Sequence, residues 1–118
     1  MSEREMIDEL LEDGLVDWVS LHNVVWVCTS GTINPDTKRV ALDVLHRLYS
    51  EELMVPGDLG ETGFEDWAPP SETWVIRSEM ELDALDWHPM GDGFWLRLTP
   101  HGKVIALGHA ATRDDDSA

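Results

Sequence analysis

The groups of this chain that could do chemistry are 24 carboxylates, five histidines and one cysteine, and their spacing limits what they can do together. A metal site would have to draw on His22, His46, His88, His101, His109 and Cys28. No pair of these shows the i, i+4 or Cys-x-x-Cys spacing that fixes ligands on one element. Asp86-Trp87-His88 sets a carboxylate and an imidazole two residues apart, which needs a third partner and a pocket to become an acid–base pair. A histidine near a helix end, favoured by the dipole there, is the simpler expectation. No Gly-x-Ser-x-Gly or dinucleotide fingerprint is present, and Gly57-Asp58-Leu59-Gly60 lacks the Lys-Ser/Thr that phosphate cradling requires. These patterns predict no enzyme, no metal and no cofactor.

The carboxylates matter more as a field than as reagents. Lys and Arg number only 8, so the formal charge is −16 over 118 residues. The excess is concentrated: residues 1–34 hold seven acids and one base, and residues 59–92 hold nine acids and one base. Such a field repels nucleic acid and anionic membrane and favours a basic protein surface as partner. The length suits one domain with a core of its own, and a hydrophobic content of 42% with six Trp opposes disorder. The expected division is one domain over 1–108 and a disordered acidic tail over 109–118. Cys28 lies in the apolar run Val24-Val25-Trp26-Val27-Cys28, so it predicts a buried, inert thiol and a reducing, cytoplasmic setting. The acidic N-terminus lacks the signature of a secretory signal, and no apolar run reaches bilayer length, so no membrane partner is expected.

The elements that would position these groups follow from periodicity and caps. Met6, Leu10, Leu11 and Leu15 recur at helical spacing, and Gly14 offers a break before a second apolar series from Val16 to Cys28. Two helices, or one bent helix, are expected, with a short strand at 24–28 as the competitor. Asn34-Pro35 is an N-cap followed by proline at the first helical position. It opens a helix whose Ala41, Val44, Leu45, Leu48 and Leu53 form an apolar stripe opposite Arg39, Asp43, His46, Arg47 and Ser50. Leu53-Met54-Val55 predicts a brief strand stopped by Pro56-Gly57-Asp58, followed by a Gly-rich loop through Phe64 and Trp67. Ser71 marks the cap of a helix over 72–87, with a strand at 73–77 as the alternative. Gly91-Asp92-Gly93 turns into a strand at 94–98, and Thr99-Pro100 launches a short helix at 104–107.

Two stretches carry a resemblance. Val44-Leu45-His46-Arg47-Leu48-Tyr49-Ser50-Glu51-Glu52-Leu53-Met54-Val55 is similar to the end of a recognition helix running into a first wing strand. Trp95-Leu96-Arg97-Leu98-Thr99-Pro100-His101-Gly102-Lys103 resembles the second wing strand passing into a closing helix through a Leu-Thr-Pro-x-Gly turn. Together they resemble the winged helix-turn-helix domains of small bacterial or phage regulators. The resemblance implies an α+β, winged-helix-like fold, with three N-terminal helices and a small antiparallel wing that here takes an acidic helical insertion. Two departures stand out. Glu52 replaces the usual glycine before the wing strand, a small loss if the helix closes without a left-handed residue. Residues 59–92, at net −8, replace a short hairpin tip, and a wing of that charge is repelled by a phosphate backbone.

An acidic protein-interaction module therefore leads the functional expectations. Phe64, Asp66 and Trp67 are its interface candidates, since aromatics in an acidic loop make an anchor with a charged rim, although packing of that loop onto the domain competes. The other tryptophans fall in expected elements and predict mostly core positions. A dimeric transcription regulator is the alternative, with Lys38, Arg39 and Arg47 as its DNA contacts. Arg39, Asp43 and Arg47 lie four apart, however, which is the spacing of solvated intrahelical ion pairs. An acidic mimic of nucleic acid that blocks a DNA- or RNA-binding protein is the third class.

Overall fold

In a computed structural model, which describes residues 2–117 and the side chains as far as residue 111, the chain is α+β with five helices and a four-stranded antiparallel sheet. Helix α1 (Glu3–Val16) starts from a capping box in which the Ser2 hydroxyl accepts from the Glu5 N–H at 3.2 Å. Ile7, Leu10 and Leu11 form its buried stripe. The break expected at Gly14 lies instead at Asp17, and Gly14 is where α1 passes close to Leu98 and Met54, whose side chains would have to shift for a Cβ there. Strand β1 (Val19–Ser20) is a two-residue element that no periodicity could show. Helix α2 (Leu21–Thr29) takes up 24–28 as helix, and the Ser20 hydroxyl caps it by accepting from the Asn23 N–H.

Helix α3 (Pro35–Ser50) forms as the cap predicted, with Asn34 accepting from the Thr37 N–H at 2.9 Å. Ala41, Val44, Leu45 and Leu48 are buried. Its end differs from expectation. Glu52 stands at φ 56°, while Leu53 N–H donates to Leu48 O and Glu52 N–H to Tyr49 O, which together close a Schellman motif. The left-handed residue is thus present, with glutamate in the place that favours glycine.

Strand β2 (Met54–Gly60) does not stop at Pro56. The Pro56 carbonyl accepts from Trp67 N–H at 2.9 Å, just past the end of β3 (Gly63–Asp66), so the N–H that proline lacks would face a place where the ladder has already ended. The segment expected as a Gly-rich loop is a β2–β3 hairpin turning on Glu61-Thr62, with Gly63 at φ 108°. A 3-10 turn (Ser71–Thr73) leads into α4 (Trp74–Ala84), shorter than the helix expected over 72–87, and Ser71 makes no capping bond. The strand alternative at 73–77 does not form. The Tyr49 and Ser78 hydroxyls, both buried, meet at 2.8 Å and fasten α4 to α3.

Strand β4 (Trp95–Leu98) lies between β1 and β2, giving the order β1-β4-β2-β3. Val19 pairs with Leu96, and Pro56 with Leu96 from the other side. Phe94 and Leu96 turn into the core against the helices. Helix α5 (Pro100–Ser117) is longer than the helix expected over 104–107, and its backbone takes in most of the segment expected as a tail; residue 118 lies outside the described residues. The Thr99 hydroxyl accepts from Gly102 N–H at 2.9 Å, and a side chain at Gly102 would run into the Leu53 carbonyl. That contact is the physical content of the Leu-Thr-Pro-x-Gly turn. His109 joins α5 to α1, with ring nitrogens 3.4 Å from Asp8 and 3.5 Å from Glu12. Among the described residues, no helix is long and apolar enough to cross a membrane.

Candidate interaction surface

One face of the sheet is covered by helices and the other is not. Pairing partners share a face, so Val55, Gly57, Leu59, Phe64, Asp66, Trp95 and Arg97 all stand on the outer side. Gly57 shapes it: a Cβ there would collide with the Phe64 ring, so the absence of a side chain lets Phe64 lie over the strand. Trp18 reaches the same ring from the α1–β1 connection, with centroids 5.5 Å apart and planes tilted by 50°. The turn that aims it is held by Asp17, whose carboxylate accepts from Trp18 N–H at 2.7 Å. Trp18 is 42% exposed and Leu59 48%, while Phe64 and Trp95 are half-buried.

A fork of two hydrogen bonds borders this aromatic pair. Arg97 Nε and Nη2 donate to the two Asp66 carboxylate oxygens at 2.8 and 2.6 Å. The hydrogen-bonded Arg97 guanidinium holds the Asp66 carboxyl below its usual range, against a smaller opposing effect of burial. The guanidinium also stands 6.0 Å from the Phe64 ring centre.

The three interface candidates separate. Phe64 and Asp66 lie on the outer face, whereas Trp67 turns inward and is only 3% exposed. It packs on Phe94 with centroids 4.7 Å apart, and its indole N–H donates to Asp58 at 3.2 Å. The Arg77 guanidinium lies 3.9 Å from the Trp67 ring centre and reaches Asp58 at 3.3 Å and Glu81 at 3.5 Å. Trp67 is therefore packed onto the domain, because alternation along β3 puts it on the opposite face from Phe64 and a carboxylate awaits its N–H there. Arg77, the one basic residue of 59–92, is the cation that ties this acidic insertion down. Burial, then the nearby Asp58 charge, pushes the Glu81 carboxyl up, with Arg77 pulling the other way.

The expectation that most tryptophans are core needs correcting at Trp18, at Trp26, which is 58% exposed, and at Trp95, which is half-buried on the outer face; of those in the expected elements only Trp87 is buried, with Trp74 packed partly buried against the core. Trp18 is the member of the surface that sequence reasoning missed. Its only signal was an aromatic directly after a helix-ending Asp17, and its partner Phe64 is remote in sequence.

The DNA-contact candidates on α3 are largely engaged within the molecule. Arg47 Nε donates to Glu51 at 2.7 Å and its Nη1 to Glu3 at 3.1 Å, bonds that raise the Arg47 pKa further. Lys38 Nζ sits 5.5 Å from the Trp87 ring centre. Arg39 is exposed.

The chemistry-bearing groups stay dispersed. Among the described residues, no group of three His, Cys, Asp or Glu is placed to hold a metal ion. Between Asp86 and His88, Trp87 is buried with its indole N–H on Asp83 at 2.9 Å, while the residues either side are exposed. Cys28 is buried, and that burial, with lesser contributions from Glu3 and Glu9, pushes its thiol up to about 12. Comparison of the chain with protein-family models, with curated proteins and with solved structures finds no match.

Proposed function

We propose that the chain is a non-enzymatic acidic protein-interaction module on a winged-helix-like scaffold, and that its outer sheet face meets a basic protein surface. The order of elements supports the scaffold: helix, short strand, two helices, strand, insertion, strand, helix, with the last strand between the other two. The insertion begins in β2 and ends before β4, where the resemblance places a wing tip.

The observation that carries the function is the pair of exposed Trp18 and half-buried Phe64 in acidic surroundings. The strands and turns that present it, residues 17–20, 54–66 and 95–98, set Asp17, Glu61 and Asp66 on or beside that face against one cation, Arg97, which is bound to Asp66, while Asp58 and Glu65 stand on the other side of the pleat, Asp58 held by Arg77. An aromatic anchor with a rim of one sign fits a partner of the opposite sign. A DNA regulator has less support, since Arg47 and Lys38 are engaged internally and the insertion repels phosphate.

The test compares the wild type with Trp18→Ser and Arg39→Glu, immobilised and exposed at low salt to a cell lysate and to duplex DNA. A basic protein should be retained by the wild type and by Arg39→Glu. Trp18→Ser should bind it roughly thirty-fold more weakly, as loss of a tryptophan anchor worth about 2 kcal/mol implies. Duplex retention that disappears with Arg39→Glu overturns the proposal, as does retention of neither.

A further inference from the structure

β3 (Gly63–Asp66) ends the sheet, so one of its edges has no strand beside it. The register fixes which groups that edge presents. Trp67 N–H points at Pro56, and backbone direction alternates along an antiparallel strand, so Gly63 and Glu65 face β2 while Phe64 and Asp66 turn their N–H and C=O outward. Among the described residues, no backbone hydrogen bond reaches Phe64 or Asp66 on that side. An uncovered edge is a template for another strand unless something discourages it.

What discourages pairing here is selective. The edge is four residues long and is followed by Pro69-Pro70, which confines it. Its charges are Glu61 in the turn with Glu65 and Asp66 in the strand, all acidic. These carboxylates repel a second copy of a chain at −16 and attract a cationic strand. The outer face beside the edge is aromatic, so a strand laid there would place alternate side chains next to Phe64 on the face that also shows Trp18.

We propose that the β3 edge accepts an extended, Lys- or Arg-bearing segment of a partner protein as a fifth strand. Its main chain pairs with Phe64 and Asp66, its apolar side chains stand on the outer face beside Phe64, and its cations face Glu65 on the other side of the pleat and Glu61 in the turn. This rests on the interaction-module reading and names the kind of segment that module takes; main-chain pairing supplies affinity and the alternating side chains supply specificity.

The probe is a blocked peptide of about ten residues alternating Lys and Val, long enough to span a strand of ordinary length. It is compared with the same peptide N-methylated at alternate residues, which removes one row of main-chain donors. Amide exchange of the intact protein is followed at Phe64 and Asp66, with the already paired Glu65 as internal control. Saturating peptide should slow exchange at Phe64 and Asp66 by on the order of ten-fold and leave Glu65 unchanged, and N-methylation should weaken binding by about as much. Added salt should weaken binding too.

Equal binding of the two peptides, or no slowing at Phe64 and Asp66, overturns strand addition. If such binding still falls in Trp18→Ser, the interaction-module reading survives alone. Absence of peptide binding overturns the inference, and only loss of basic-protein capture as well brings down the broader function. Protection of Phe64 and Asp66 without peptide, growing with protein concentration, gives the edge to a second copy and also overturns it.

Discussion

Substituting alanine at two glycines of α5 should move stability in opposite directions. At Gly102 a Cβ would meet the carbonyl oxygen of Leu53, with the carbonyl carbon at 2.9 Å and Cα at 3.2 Å, so the obstacle is backbone rather than a movable side chain. That carbonyl also accepts from Thr99 N–H at 3.1 Å and from the Thr99 hydroxyl at 3.2 Å. Overpacking of this kind costs roughly 1–3 kcal/mol, and displacing the carbonyl weakens two hydrogen bonds worth about 1 kcal/mol each. The better helix propensity of alanine returns about 1 kcal/mol, leaving Gly102→Ala destabilised by about 2–3 kcal/mol. At Gly108 no atom of the described residues stands within 4 Å of the same methyl, so the propensity gain dominates. Gly108→Ala should therefore be stabilised by up to about 1 kcal/mol. Urea unfolding followed by far-ultraviolet circular dichroism reads both, and the melting temperatures should separate by about 10 °C for a domain of this size. A Gly102→Ala protein as stable as the wild type, or a shift of both variants in one direction, would refute the assignment of the Thr99–Gly102 turn as a close-contact joint.

The native protein should resist alkylation of Cys28 by iodoacetamide at pH 8 and react rapidly in denaturant, since a buried thiol pushed up to about 12 offers little thiolate; rapid modification of folded protein, read by mass spectrometry, would contradict its burial. The Asp66 carboxyl is held down by Arg97, so its contribution to stability is present above the ordinary carboxyl value near pH 4 and is lost as pH falls through the lower folded value. Because the pair is partly solvent-exposed, Asp66→Asn should lower stability by at most about 1 kcal/mol at pH 7, with the deficit closing as pH falls below the ordinary carboxyl value. Glu61→Gln, an exposed turn residue, should show no such deficit, and urea midpoints across that range that stay separated for Asp66→Asn would rule out the linkage.

Legibility followed the range of the interactions involved. Helix α3 could be read because Asn34 and Pro35 cap it locally and its buried stripe repeats every three to four residues. The 73–77 ambiguity was settled by distant contacts: Trp74 packs edge-on against Tyr49 with centroids 5.6 Å apart, and Ser78 meets the Tyr49 hydroxyl. The β2–β3 hairpin was missed because Pro56, Gly57, Gly60 and Gly63 all signal a loop. Each is tolerated for a reason that exists only once strands pair: a ladder that ends opposite Pro56, a ring that lies over Gly57, a turn that needs positive φ at Gly63.

The interface candidates divide in the same way. Composition placed Phe64, Asp66 and Trp67 together in an acidic segment, but only the pleat separated Phe64 and Asp66 from Trp67. By itself the sequence determined the net charge, the sites of its accumulation, the capped α3 and the single cysteine in an apolar run, because those depend on residue type and on neighbours a few positions away. Only the tertiary structure decided that Trp18 joins Phe64 in space, that Arg77 anchors the insertion and that Arg47 is engaged by Glu3, because such contacts follow from strand register and helix packing between residues remote in the chain.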